Sequence, residues 1–182
     1  MTSVLPTLFD PDAARPVLAR AAQVRLLGLD VDGVLTDGTV WYTAAGETVK
    51  GFNILDGLGL RLLADAGIRT AVISARRSDA LERRLDDLGI EHRSLGVKEK
   101  RTAWSRLTTD LGLTMEQTAF VGDDLLDLPL LARCGLACSV ANGHPLVRQR
   151  AHWVSRRPGG HGAVREICEL VLAAQGLLLV AD

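Results

Sequence analysis

Asp30 and Asp32 stand two residues apart at the end of an apolar run, residues 24–29. Residues two apart project from the same side of an extended backbone. Two carboxylates so placed repel unless a cation or a shared proton relieves them. An all-oxygen site of this kind suits a hard metal such as Mg2+. A second apolar run, residues 118–121, ends in Gly122-Asp123-Asp124-Leu125-Leu126-Asp127. Asp and Gly are also common turn and helix-cap residues. Two acidic strand ends in one chain can nonetheless converge on one ion, and their joint occurrence favours metal chemistry over two unrelated turns.

For that convergence the two runs must be strands of one sheet, with their carboxyl ends on the same edge. The rest of the chain supplies such a sheet. Residues 39–42 and 48–52 are β-prone and flank Ala44-Ala45-Gly46, the pattern of a β-hairpin. Residues 55–66 carry apolar positions at helical spacing and stop at Gly67. A strand over 69–73, helices over 77–88 and 98–111, and the 118–121 strand follow. Then come a helix over 125–133, strands over 136–140 and 152–154, and a helix over 163–175. Strands alternating with helices predict an α/β domain: a Rossmann-like parallel sheet with helices on both faces and a hairpin insertion at about 39–52. Residues 1–20 contain Pro6, Pro11 and Pro16 and read as a loosely ordered arm, with a short helix over 13–21. Residues 21–182 read as a single domain. Only the hairpin lies between the first strand and the next helix, so no large cap domain is expected.

Composition narrows the function classes. The chain has 182 residues, 47% hydrophobic and 24% charged, with a formal net charge of −1. That balance fits a globular protein and argues against a broad nucleic-acid surface. Arg148, Arg150, Arg156 and Arg157 read as solvated faces. No apolar run approaches the eighteen or so residues that cross a bilayer, and no signal peptide is apparent. Cys134, Cys138 and Cys168 form no CxxC pair and read as small buried thiols, which fits a reducing cytoplasm.

Asp30-x-Asp32-Gly-Val-x-Thr resembles the first motif of the haloacid dehalogenase superfamily of phosphohydrolases. Ser74, Lys100 and Gly122-Asp123-Asp124-Leu125-x-Asp127 resemble its second, third and fourth motifs, in the right order. The extended motifs around 30–38, 50–57, 122–129 and 159–166 are similar to one capless family within it, the sugar-acid phosphatases that act on 3-deoxy-D-manno-octulosonate 8-phosphate. This resemblance covers about residues 22–176.

The resemblance implies an Mg2+-dependent phosphatase working through an aspartyl-phosphate in lipopolysaccharide precursor synthesis. Asp30 is then the nucleophile, and Asp32 the general acid and later base. Asp30, Asp123 and the backbone carbonyl of Asp32 would hold Mg2+, with Asp124 and Asp127 ordering its surroundings. Ser74 and Lys100 would steady the phosphoryl group. The segment Asn53, Ile54, Leu55, Asp56 and Gly57, with Arg61, Arg76 and Arg84, would bind the substrate. Guanidinium groups suit its carboxylate and phosphate. The chain departs from the superfamily at Ala75, where glycine is usual, and from the narrower family at His161, where arginine is frequent. Family members form homotetramers in which hairpins pack together and a neighbour's C-terminal segment covers the site. That implies roles for residues 39–52 and for the flexible strip 159–162. Two other implied readings are a phosphatase for nine-carbon sugar-acid 9-phosphates and a non-catalytic assembly module. The intact Asp30, Asp32, Lys100 and Asp123 weigh against the last.

Overall fold

The computed structural model describes residues 11–178. The chain runs α1 (Pro11–Ala21), β1 (Leu26–Leu29), β2 (Trp41–Thr43), β3 (Gly46–Val49), α2 (Ile54–Asp65), β4 (Arg69–Ser74) and α3 (Asp79–Asp87). It continues with β5 (His92–Leu95), α4 (Lys100–Asp110), β6 (Thr118–Val121), α5 (Leu128–Leu131), β7 (Leu136–Ser139), α6 (Pro145–Arg150), β8 (Trp153–Val154) and α7 (Ala163–Ala174).

Six strands pair in the order β5-β4-β1-β6-β7-β8, and every pairing is parallel. β1, β6 and β7 are buried along their whole length, as strands covered on both faces must be. Their side chains alternate between two cores. Leu27, Leu29, Val72 and Val121 face Leu60, Leu63, Leu81 and Ile167 of α2, α3 and α7. Leu26, Ile73 and Phe120 face Trp104, Leu130, Leu131 and Val147 of α4, α5 and α6. Trp104 meets Phe120 edge-on, with ring centroids 5.7 Å apart.

The connections from β1 move first to β4 and β5 on one side, then cross through α4 to β6 on the other. The strand order therefore reverses at β1, and a crevice opens beyond its carboxyl end. Asp30 follows β1 directly, and Ser74 ends β4. Asp123 follows β6 after one glycine. The separate hairpin β2–β3 leaves the sheet just after the β1 loop.

Some elements differ from the sequence reading. Residues 92–95 form a strand that hydropathy does not mark, because a sheet edge tolerates His92, Arg93 and Ser94. The helix expected over 125–133 is a 3-10 turn at Leu125–Asp127 followed by the single turn α5. α6 is a further short helix, capped by His144 Nδ1 accepting from the Leu146 amide at 3.2 Å. In the N-terminal arm, α1 is helical and packs Val17 and Leu18 on the larger core. The rest of the arm, residues 1–10, lies outside the described residues.

Candidate active site

The loop after β1 folds back on itself. The amides of Val34, Leu35 and Thr36 converge on the Val31 carbonyl at 3.2, 2.9 and 3.0 Å. Gly33 adopts φ +92°, a region that L side chains rarely enter, and a Cβ there would collide with Asp123 Oδ2. The close approach of the two acidic strand ends thus depends on glycine. Asp30, Asp123 and Asp127 each bring a carboxylate oxygen within 4.8 Å of the others.

Lys100, at the start of α4, enters this cluster. Its side chain is 3% exposed and its ammonium lies 2.9 Å from Asp30 Oδ1 and 2.7 Å from Asp127 Oδ1. Burial opposes its charge, but Asp30 and Asp127 outweigh burial and raise its pKa. Asp127 Oδ2 accepts from the Asp123 and Asp124 amides at 3.0 and 3.3 Å. Both Asp127 oxygens are therefore engaged in shaping the loop. Asp124 caps the following turn through the Leu125 amide at 2.7 Å.

Charge in the cluster is unbalanced. Burial first, then the charge of Asp127, push Asp30 up to about 6 despite Lys100. Burial and the charges of Asp30, Asp127 and Asp124 push Asp123 up to about 7. Asp123 Oδ1 is buried and has no hydrogen-bond partner among the described residues. A buried acceptor without a donor costs free energy. Carboxylate oxygens with one orphan among them are the donor set a hard divalent cation takes, so Asp30 and Asp123 fit Mg2+.

The Asp32 carboxylate lies apart from that cluster. Its Oδ1 accepts from Lys50 of the hairpin, and its Oδ2 is 3.7 Å from Arg76 Nε. Arg76 also pairs with Glu47, and its pKa is raised, mainly by that bond. Lys50 and Glu47 were not singled out from sequence as site residues. The sole signal was Lys50 at the head of the motif running to Gly57. Ser74 is buried, and its Oγ accepts from the Arg76 amide at 3.1 Å, a bond that leaves the hydroxyl proton uncommitted.

The remaining expected binding residues divide into two groups. Arg84 sits over the Phe52 ring at 5.8 Å, against Gly57. Ile54 and Leu55 are exposed at the rim. Arg61 is not brought to the carboxylates: its guanidinium donates to the Asp87 carbonyl at 3.1 Å, at the far end of α3. Asn53 caps α2 through the Leu55 amide at 2.8 Å and donates to the Gly160 carbonyl at 3.3 Å. Asp56 is 1% exposed and accepts from the Gly162 and Arg165 amides at 3.3 and 2.8 Å. It serves the N-terminus of α7 and offers no free oxygen to a ligand. Replacing Asp56 by alanine is expected to cost about 1–3 kcal/mol, from the unsatisfied amides and the lost charge at a helix N-terminus. Urea unfolding of variant and wild type checks this, and an unchanged midpoint would refute the capping role.

The glycine strip is not a free flap in this structure. The Gly159 amide donates to Asn142 Oδ1 at 2.8 Å, and the Gly160 amide to the Val34 carbonyl at 2.9 Å. A Cβ on Gly159 would strike the Gly33 carbonyl, and one on Gly160 the backbone of Asp37. The strip is pressed onto the loop after β1 of its own chain, where only glycine fits.

Comparison with known proteins agrees with this geometry. Residues 96–167 match the haloacid dehalogenase-like hydrolase family. The 3-deoxy-D-manno-octulosonate 8-phosphate phosphatase of Yersinia pestis is 45% identical over 97% of this chain and 94% of its own length. That of Escherichia coli K12 is 45% identical over 96% of this chain and 92% of its own. A crystal structure of the 3-deoxy-D-manno-octulosonate 8-phosphate phosphatase of Moraxella catarrhalis, in complex with a magnesium ion, a phosphate ion and a KDO molecule, superposes with a TM-score of 0.87. It is 40% identical and covers 89% of this chain and 93% of its own. At this identity over nearly the whole chain, the chain belongs to the 3-deoxy-D-manno-octulosonate 8-phosphate phosphatase family of haloacid dehalogenase-like hydrolases.

Proposed function

We propose that this protein is an Mg2+-dependent phosphatase that hydrolyses 3-deoxy-D-manno-octulosonate 8-phosphate to the free sugar acid and inorganic phosphate, in lipopolysaccharide precursor synthesis. The observation that carries the reading is the meeting of Asp30, Asp123 and Asp127 with Lys100 at the switch point, in a chain 45% identical to such enzymes.

Phosphoryl transfer needs a placed nucleophile, a proton for the leaving oxygen and cationic cover for the phosphoryl oxygens. Asp30 attacks phosphorus and becomes the aspartyl-phosphate. Asp32 protonates the departing sugar oxygen, then takes a proton from the water that hydrolyses the intermediate. Lys100 supplies fixed positive charge beside the transferred group, and the Ser74 hydroxyl donates to one of its oxygens. Asp30, Asp123 and the Asp32 carbonyl would hold Mg2+, which when bound would offset the repulsion between anionic nucleophile and anionic substrate. Arg76 and Arg84, the arginines nearest the crevice, bind the sugar acid's anionic groups.

Mg2+ also links to stability. Asp30 and Asp123 have raised folded pKa values, about 6 and about 7, so the metal-free fold binds more protons than the unfolded chain. Stability in EDTA therefore falls as pH rises from about 4 towards 7 and levels off above, because raised carboxylates are costliest when ionised. Mg2+ at 100 times its Kd adds about 2.7 kcal/mol when it meets no bound proton. Thermal melts in EDTA and in Mg2+ should differ more at pH 8 than at pH 5. An equal difference at both would contradict the assignment of these carboxylates to the ion.

The exposed Trp41, Tyr42 and Val49 on the hairpin support a homotetramer built on that element. No helix among the described residues is long and apolar enough to cross a membrane, and we place the enzyme in the cytoplasm with its family. The deciding experiment is inorganic phosphate release from octulosonate 8-phosphate, neuraminate-type 9-phosphates and hexose phosphates, each with Mg2+ and with EDTA. A preference for a nine-carbon acid would keep the mechanism and replace the substrate. Inactivity on all would favour an assembly role.

A further inference from the structure

Lys50 has no place in the chemistry described so far, yet its side chain is only 2% exposed. Lysine is rarely buried unless paired. Here the pairing is double: the ammonium bonds Asp32 Oδ1 and lies 2.9 Å from Glu47 Oε1. Glu47 in turn holds Arg76, so the hairpin carries a fixed chain of alternating charges up to Asp32. Asp32 Oδ2 stays outside hydrogen-bonding distance of Arg76, and the Asp32 side chain remains 21% exposed. One oxygen of the acid is tied down, and the other is open to a ligand.

We propose that Lys50, braced by Glu47, is a positioning residue for proton transfer at Asp32. This rests on the role of Asp32 given above. In the first half-reaction an Asp30 oxygen bonds phosphorus, the bond from phosphorus to the sugar oxygen breaks, and the Asp32 proton passes to that oxygen. In the second, a water oxygen bonds phosphorus, the Asp30–phosphorus bond breaks, and the Asp32 carboxylate takes the water's proton. Pinning Oδ1 turns Oδ2 to the sugar oxygen that gains the proton in the first half-reaction; the water of the second step is mobile and meets the open oxygen without that alignment. The ammonium also stands where negative charge develops on Asp32 as the first proton leaves.

Leaving-group dependence separates this role from a structural one. A sugar alkoxide departs poorly without a proton, whereas p-nitrophenolate departs without one. The test is Lys50→Met against wild type, with saturating Mg2+, on octulosonate 8-phosphate and on p-nitrophenyl phosphate. We expect kcat on the sugar ester to fall about 100-fold, against about 3-fold on the aryl ester, with KM for both within about 3-fold, because general acid catalysis is worth ~10²–10⁴. Lys50→Arg should recover most of the loss on the sugar ester, and Glu47→Gln should lose in the same direction by less. Equal losses on both esters, or a raised KM with kcat intact, would overturn the proposal. So would no change. If Lys50→Met does not fold by circular dichroism, the same comparison on Glu47→Gln decides: a loss confined to the sugar ester supports the proposal, and a parallel loss or no change overturns it. Wild-type turnover of another alkyl phosphate but not of the octulosonate would refute the substrate and leave this comparison valid with that ester.

Discussion

Asp30→Asn is expected to abolish turnover, by at least about 10⁴-fold in kcat, while raising the melting temperature of the metal-free protein at pH 8. The first effect follows from chemistry: an amide oxygen is a far weaker nucleophile than a carboxylate, and no other described group occupies its place. The second follows from electrostatics. Asp30 is buried beside Asp127, and its pKa stands at about 6, so at pH 8 its ionised form is held in the fold at a cost. Asparagine removes that charge and keeps the shape. The gain should be a few degrees, since about 1 kcal/mol moves the melting temperature of a domain of this size by roughly 2–4 °C. Phosphate release and a thermal melt in EDTA read the two effects. Retained activity would displace Asp30 as the nucleophile. A lower melting temperature would mean that its ion pair with Lys100 matters more than its repulsion.

Lys100→Met should lose both stability and activity. The ammonium is the counter-charge that lies between Asp30 and Asp127, and it is almost fully buried. Removing one member of a buried ion pair leaves the other uncompensated, at about 3–5 kcal/mol. Without Lys100 the phosphoryl oxygens also lose a fixed positive charge, a loss worth about 10²–10³-fold in kcat for comparable electrostatic groups. The double change Lys100→Met with Asp127→Asn should recover part of the stability and none of the activity, because it removes the stranded carboxylate without restoring the charge. Urea unfolding of all four proteins gives the coupling between the two positions. Additive losses of stability would show that the pair does not act as a unit, and recovered turnover would remove Lys100 from the reaction.

The parts of the site that sequence made legible are those carried by local pattern. Asp30, Asp32 and Asp123 end apolar runs, and an apolar run ending in acid at a parallel strand's carboxyl end is a local statement. Lys100 was distinguishable from Lys98 only through the family motif, since burial of a helix lysine depends on what packs over it. Lys98 is exposed and Lys100 buried, two residues apart. Lys50 was not singled out because its partner Asp32 is reached only after the hairpin folds back. Asp56 was expected to meet substrate, and its carboxylate serves a helix whose start lies far along the chain. The glycine strip was read as flexible for want of side chains, whereas its bare backbone is what lets it dock. In the fold, the buried strands and the edge strand β8 were legible and the other edge was not: β5 carries polar residues that a sheet edge accepts, and α6 is too short to show periodicity.

The docking of Gly159 and Gly160 on the loop after Asp30 also bears on how the molecule comes into being. Asp30 follows the first strand of the sheet in chain order. Its loop is braced by Asp123, and then by a strip synthesised just before α7. A nascent chain halted before Gly159 holds every residue assigned to the chemistry and lacks the brace that seats the loop after Asp30. Because the strip lies C-terminal to every residue assigned to the chemistry, the loop after Asp30 gains this brace only once translation has passed Gly160.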